Sequence, residues 1–446
     1  MSGGGGASTR WFRAWCVATL CWGAFGGAPV LAGEFAYGAG YSLTYDSNIT
    51  HVPNQASAEW TQSLIGGFAY QERTVDLNAR IFAQVEQRDY LRNTYSDDRS
   101  YNVNGVAAWT ISPRQFTWSV EDVAQQVRLD ITTPDTPNNR ANANSLGTGP
   151  DLLLRLDPVN TAAIGARYGR FDISGPGDNN SRSAYARLLR QVSVLTKLSL
   201  NYEAIRVNFQ DPSSFNNFLR EEWFFGYESR LSLGSVAVEA GTSHITREGA
   251  KELNGRLVRL TLSRQLTSDS SVQASLARQY SDTGSDLLAV GATQLTSVSF
   301  STPSTVVTED VYYSKYGDLA YVNRAGPIGF ALRGYTRSID YEQLNDLDFD
   351  ELGGRIEATW IYSGGVRIGS YTEYLRRTFL NHDQRDTTRN SGVGVTYSLN
   401  RNVNITVQGA RLEQSSNVPS NNFVDRRVMV VLAYSSGPLY TVQSRR

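Results

Sequence analysis

The sequence predicts one transmembrane antiparallel β-barrel of about 20 strands, with short turns at one rim and longer loops at the other. Three observations predict it. Apolar residues recur at every second position in segment after segment; the connections between segments alternate between short and long; and beyond residue 32 no stretch approaches the ~18 apolar residues that a membrane-crossing helix requires. Mean hydropathy is negative although 11% of the residues are aromatic. A wall that meets lipid only at alternate residues has that composition.

Residues 1–32 are set apart as a signal peptide. Arg10 and Arg13 give a positive start, Ala14 to Phe25 an apolar run too short to span a bilayer, and Val30-Leu31-Ala32 a cleavable end. Arg10 and Arg13 are not adjacent, so no twin-arginine signal is present, and Leu20 before Cys21 argues against a lipid anchor. The division that follows is 1–32 signal peptide, 33–434 barrel and 435–446 C-terminal tail, with the product in the outer membrane of a Gram-negative cell. Cys16 and Cys21, the two cysteines, both fall in the leader, which removes disulfide and thiolate-metal chemistry from the barrel. The formal net charge is −1, so no basic excess points to nucleic acid.

The alternation is explicit in Val75, Leu77, Ala79, Ile81, Ala83 and Val85, set against Asp76, Asn78, Arg80, Phe82, Gln84 and Glu86. It returns in Leu198, Leu200 and Tyr202, in Val258, Leu260 and Leu262, in Ile356, Ala358 and Trp360, and in Val403, Ile405 and Val407. Twenty such segments begin near residues 34, 58, 75, 99, 115, 145, 160, 181, 197, 219, 235, 254, 271, 306, 327, 352, 365, 389, 402 and 424. Eighteen and twenty-two are the neighbouring counts. Short connections such as Glu72-Arg73-Thr74, Ser112-Pro113-Arg114 and Ser363-Gly364 alternate with long ones such as Ile131 to Asn144, Asp282 to Thr305 and Asn381 to Arg389. Hairpins that change sides of a membrane sort their loops this way, short on the periplasmic side and long outside. An open edge in lipid would strand backbone groups at several kcal/mol each, so the sheet must close. A closed barrel of this size holds an aqueous lumen.

Aromatic residues near segment ends, including Trp60, Tyr70, Tyr90, Tyr101, Trp109, Trp118, Tyr168, Trp223, Tyr312, Tyr313, Trp360, Tyr362, Tyr374 and Tyr434, suit interfacial girdles, with sugar-stacking platforms inside the pore as the rival reading. Alternation projects Arg80, Glu86, Arg155, Arg167, Glu203, Arg259, Arg333, Arg355, Glu357 and Arg367 into the lumen, with Asp76 and Glu121 beside them. An arginine on the lipid face would cost ~2–4 kcal/mol at mid-bilayer. The loop Asp282 to Thr305 carries Leu287-Leu288-Ala289-Val290 where an exposed loop would be polar. Asp282, Asp286, Leu287, Leu288 and Val290 are therefore candidates for a constriction folded into the lumen, with packing on the rim or an extra hairpin as alternatives.

No catalytic constellation or cofactor motif emerges. His51 and His382 fall in loops, His244 sits near the outer end of a strand, and Ser243 beside it points to the opposite face. The acidic run Asp340, Glu342, Asp346, Asp348, Asp350, Glu351 lacks the glycine a calcium loop needs, because Glu351 occupies that position, and Leu347 and Phe349 read as strand residues. Its remaining reading is a solvated loop, or a loose divalent-ion bridge to lipopolysaccharide.

Tyr45-Asp46-Ser47-Asn48-Ile49 at the first segment's end, Val307-Thr308-Glu309-Asp310-Val311-Tyr312-Tyr313, and Arg337-Ser338-Ile339-Asp340-Tyr341-Glu342 together give a resemblance to a known family. The chain resembles outer-membrane β-barrel porins encoded with exopolysaccharide or capsule synthesis machinery in Gram-negative bacteria. The resemblance implies a non-enzymatic conduit that supports polysaccharide export, with outer-membrane lipids around it and periplasmic or inner-membrane export machinery as partners. It carries no catalytic residues across. A general or nutrient-uptake porin and a non-conducting anchoring barrel are the alternatives. Such barrels usually end on an aromatic residue, whereas here Val428 to Tyr434 reads as the closing strand and Ser435 to Arg446 continues beyond it.

Overall fold

The computed structural model describes residues 33–174, 177–210, 217–247, 250–288, 308 and 310–437. The proposed signal peptide, Val290 and residues 438–446 lie outside them. The strands are Glu34–Asp46 (β1), Glu59–Arg73 (β2), Leu77–Tyr90 (β3), Asp98–Ser112 (β4), Phe116–Arg128 (β5), Arg140–Arg155 (β6), Asn160–Ile173 (β7), Asn179–Gln191 (β8), Thr196–Phe209 (β9) and Phe218–Leu231 (β10). There follow Gly234–Arg247 (β11), Leu253–Thr267 (β12), Ser270–Ser281 (β13), Tyr312–Asn323 (β14), Ile328–Tyr341 (β15), Phe349–Ser363 (β16), Val366–Phe379 (β17), Arg385–Ser398 (β18), Val403–Ser416 (β19) and Phe423–Ser435 (β20).

All twenty join one antiparallel sheet, each pairing with its chain neighbours. The sheet closes where β1 pairs with β20, from Gly38 opposite Ser435 to Asp46 opposite Arg427. Closure satisfies the backbone groups that an edge would leave bare in lipid. Short turns follow the even strands and long loops the odd ones. Three register irregularities, at Thr110/Ser112, Gln265/Thr267 and Ile361/Ser363, all lie beside short turns, where tightly turned ladders take up extra twist.

The two-residue period does its expected work. In β20, Val428, Val430, Leu432 and Tyr434 are exposed on the outer surface, while Asp425, Arg427, Met429 and Val431 point inward. Trp109, Trp118, Tyr168, Trp223, Trp360, Tyr362 and Tyr374 are likewise exposed. Tyr90 and Tyr312 depart from the girdle reading: both are buried, at 4% and 1% exposure. Tyr90 packs against Tyr95 of the loop that follows it, and Tyr312 against Ile131 and Asp286 of two other loops.

Most strands begin within a few residues of the sequence reading. β6 starts earlier, at Arg140, because its asparagines resemble loop residues. The strand in fact continues above the apolar belt, where Asn144 Nδ2 donates to Asp122 Oδ1 at 2.7 Å and Asn142 Nδ2 to the Arg99 carbonyl at 2.9 Å. β14 starts later than the apolar pair Val306-Val307 suggests, since its ladder with β13 begins only at Tyr312 opposite Ser281. Asp76 lies in the turn before β3 rather than on the lumen wall, and Leu347 sits in a short 3-10 turn, Asn345–Leu347, rather than a strand.

The seam between β1 and β20 has its own clamp. Arg427 Nε reaches Asp46 Oδ1 at 2.5 Å and Asp425 Oδ2 at 2.7 Å, and both carboxylates are fully buried. Ser47 Oγ and the Asn48 backbone N–H donate to Asp425 at 3.2 and 2.9 Å. His51 stacks on Phe423 with ring centroids 4.1 Å apart. The residues Asp46-Ser47-Asn48 thus join the first strand to the last.

Candidate functional site

The lumen is built from the inward half of each strand. All ten wall residues expected from alternation fall on that inward phase, and Arg155 and Arg367 sit at or beside the short-turn ends of β6 and β17. The structure adds their partners. Glu86 Oε2 meets Arg88 Nη2 at 2.8 Å, and Arg88 also reaches Asp98 at 3.4 Å. Arg167 meets Asp151 at 2.7 Å; Asp151 also accepts from Ser119 Oγ at 3.1 Å and from the Tyr185 hydroxyl. Arg259 bridges Glu239 at 3.0 Å and Glu222 at 3.4 Å, with Glu203 opposite Glu222 in the register.

On β14 to β17 the pairs merge into a strip. Arg333 binds Asp318 and the Tyr316 hydroxyl, while Arg355 binds Glu357 at 2.6 Å and Glu373 at 3.2 Å. Arg333 lies directly opposite Arg355, and Arg355 opposite Glu373. Like charges set opposite each other repel, yet each guanidinium turns to its own carboxylate. Two arginines do share one level, but they are neutralised there, so this part of the wall is ion-paired rather than a bare anion filter. Among these partners Arg88, Asp151, Asp318, Glu239 and Glu373 were not singled out from the sequence. The signal lay in the alternation itself: Asp318 precedes outward Leu319 as regularly as Arg355 precedes outward Ile356.

Tyrosines lie flat on this wall, and glycines allow it. Tyr335 is opposite Gly353, and Tyr371 opposite Gly392. A Cβ at Gly392 would stand 2.7 Å from the Tyr371 ring, and one at Gly353 would collide with the Tyr335 ring. Each ring carries an arginine over its face, Arg333 at 5.5 Å from Tyr335 and Arg355 at 4.8 Å from Tyr371. Beside Tyr371, a recess is lined by Thr44, Asn390, Gln408, Arg427 and Met429.

Two loops from the long-loop rim cross the lumen. After β13, residues 283–288 form a helical turn whose Leu287 is fully buried. It packs against Val123, Val127, Ala141, Ala143, Phe171 and Ile173 of β5 to β7, seven strands away around the wall, with Leu288 beside it. Ser145 Oγ donates to the Gly284 carbonyl at 3.1 Å. At the near wall, Asp282 faces Arg220 at 3.6 Å, and Asp286 accepts from Tyr312 at 2.6 Å with Arg337 3.5 Å away.

The loop 129–139, after β5, runs the other way. Ile131 is fully buried among Tyr312, Ile339, Tyr341, Phe349 and Phe379, and the Thr132 carbonyl accepts from Gln384 Nε2 at 2.8 Å and Asn421 Nδ2 at 2.6 Å. Asp135 holds Arg140 through both oxygens, at 2.7 and 2.9 Å. Desolvation opposes ionisation of Asp135, but the charge and hydrogen bonds of Arg140 outweigh it and draw the carboxyl down to about 2. Tyr312 belongs to both anchorages. In sequence this segment reads as a polar outer loop, and its signal is slight, since of its two aliphatic residues Leu129 is exposed and Ile131 alone is buried.

The acidic run does not converge. Glu351 turns inward to Arg377 at 2.6 Å, Asp340 pairs with Lys315 at 3.0 Å, and Asp348 accepts from the Tyr341 N–H.

Residues 366–435, which are β17 to β20, match the family described as "Putative beta-barrel porin 2". The chain is a closed 20-stranded barrel whose last four strands are porin-like. No curated protein matches it. Among solved structures, the barrel is similar to a mutant of the ferric enterobactin receptor PfeA from Pseudomonas aeruginosa, at 11% identity over 90% of this chain and 80% of that one, with a TM-score of 0.46. It is similar also to OccK2 (OpdF) of the same organism, at 11% identity over 91% and 98% of the two chains, with a TM-score of 0.39.

Proposed function

We propose that the barrel is a passive conduit supporting export of a secreted polysaccharide, with the loop 129–139 and residues 282–288 as its constriction. The observation that carries this reading is the wall of β14 to β18, where arginines are tied to carboxylates and tyrosine rings lie flat. A neutral polymer meets there a polar surface on which Arg333 and Arg355 are already tied to carboxylates and to tyrosine rings. Ion pairs in a wet lumen are worth ~0–1 kcal/mol each, so they shape the wall more than they stabilise the fold.

The test is a strain deleted for the gene and complemented in trans. Loss of extracellular polysaccharide in the deletion and its return with the wild-type gene are expected. Normal secretion by the deletion strain would remove the proposal. A second reading, diffusion of small solutes inward, is favoured by the two crossing loops, which narrow the outer half. Liposome-swelling rates separate the two: mono- and disaccharide flux without polymer dependence supports the second. Deleting residues 284–300 is expected to raise single-channel conductance, and an unchanged value would remove the constriction.

A further inference from the structure

Six arginines of the lumen wall differ in their surroundings from a group of arginines on the outer surface. In the lumen Arg88, Arg167, Arg259, Arg333, Arg355 and Arg377 each meet a carboxylate within 4 Å. On the outer surface of β17 to β20, besides Arg385 at the first position of β18, stand four exposed arginines, Arg376, Arg389, Arg411 and Arg426, one per strand. Register sets them in one row. Arg376 is opposite Thr387, a diagonal step from Arg389; Arg389 is opposite Glu413, a diagonal step from Arg411; and Arg411 is directly opposite Arg426.

Glu413, bound to Arg411 at 2.9 Å, and Asp350 on neighbouring β16 are the carboxylates of this patch, and among the described residues none pairs with Arg376, Arg389 or Arg426. Like charges placed directly opposite destabilise a sheet, so a row in which Arg411 alone is bound to a carboxylate suits a counter-anion from outside the chain. Its place says which. The row sits near the long-loop ends of its strands, directly above the lipid-facing Val393, Val407 and Val428, with Tyr374 opposite Arg389. Three strand spacings of about 4.8 Å make it roughly 14 Å wide, room for two phosphates. Guanidinium pairs bind phosphate oxygens bidentately.

We propose that Arg376, Arg389, Arg411 and Arg426 form a binding site for the phosphates of a phosphorylated glycolipid in the outer leaflet. The apolar belt below takes the acyl chains and Tyr374 offers a hydroxyl at the headgroup. The site is independent of what passes through the lumen.

The full barrel in neutral detergent is titrated in native mass spectrometry with bis-phosphorylated lipid A, with the same lipid stripped of phosphate, and with inorganic phosphate. The wild type is expected to bind the phosphorylated lipid at least about tenfold more tightly than the stripped one. R389Q/R411Q/R426Q is expected to weaken that binding on the order of a hundredfold, from the contribution of each arginine near an anionic surface. Binding of the stripped lipid stays constant, and R264Q at the opposite rim changes nothing. The triple lysine variant, which keeps the charge, retains most of the affinity and shows that the barrel tolerates substitution there; thermal melts confirm folding of each. Wild-type affinity in the triple glutamine variant, or no preference for phosphate on the lipid, overturns the site. Inorganic phosphate binding as tightly as the lipid overturns the lipid assignment.

Discussion

Leu287→Ala tests whether the loop after β13 is held in the lumen by its apolar contact with the far wall. Leu287 is wholly buried among Val123, Val127, Ala141, Ala143, Phe171 and Ile173. Truncating a buried leucine costs ~2–5 kcal/mol. Here that cost falls on docking of the loop, because Leu287 belongs to no strand. A loss of about 3 kcal/mol raises the undocked population roughly a hundredfold. The remaining anchors, the Ser145 bond to Gly284 and the contacts of Asp282 and Asp286, are buried or half-buried polar contacts, worth ~1–3 kcal/mol apiece.

Planar-bilayer recordings of Leu287→Ala are therefore expected to show a larger or noisier conductance while the thermal midpoint of the barrel barely moves. The reciprocal variant pairs Ser145→Cys with Gly284→Cys, where a Cβ at 284 meets only ordinary contacts, none nearer than 3.4 Å. Both native cysteines, Cys16 and Cys21, lie in the proposed leader. Oxidation is expected to lock the loop and quiet the channel, and reduction to release it. Identical traces from the wild type, Leu287→Ala and the oxidised double variant would refute the cross-lumen anchor.

Arg427→Met strands Asp46 and Asp425, two fully buried carboxylates, at the seam, and is expected to cost ~3–5 kcal/mol; an unchanged denaturant midpoint would count against the clamp. Arg355→Gln frees Glu357 and Glu373 and is expected to shift the reversal potential in a salt gradient toward cation selectivity, and no shift would mean that these groups are remote from the ion path. Gly392→Ala is expected to lift the Tyr371 ring from the wall and lower conductance, whereas a wild-type value would show that the ring does not border the pore. Asp135 is depressed to about 2, so its anchoring of the loop 129–139 is fully present above the ordinary carboxylate value near 4 and is lost as pH falls from there through about 2. A fluorophore at Thr132→Cys is expected to report release in that window, and release unaltered by Asp135→Asn would sink the assignment.

Alternation made the barrel legible because each strand samples two solvents at once, lipid and water, and the chain must answer both with a period of two. That requirement is local, so Val428, Val430 and Leu432 announce their face without reference to any other strand. The inward phase of Arg80, Arg333 or Glu357 is local for the same reason, and the sequence determined it together with the strand number. The partners are not local. Arg355 with Glu373, Asp46 with Arg427 and the row from Arg376 to Arg426 depend on register, which the turns set and which a one-residue slip would reverse. Leu287 was conspicuous as an apolar residue in a loop, but its wall on β5 to β7 lies more than a hundred residues back in the chain. Ile131 gave still less notice, since its companions come from β14 to β17 across the barrel. Tertiary closure alone decided these contacts, because bending twenty strands into a ring is what brings their walls within reach of one another.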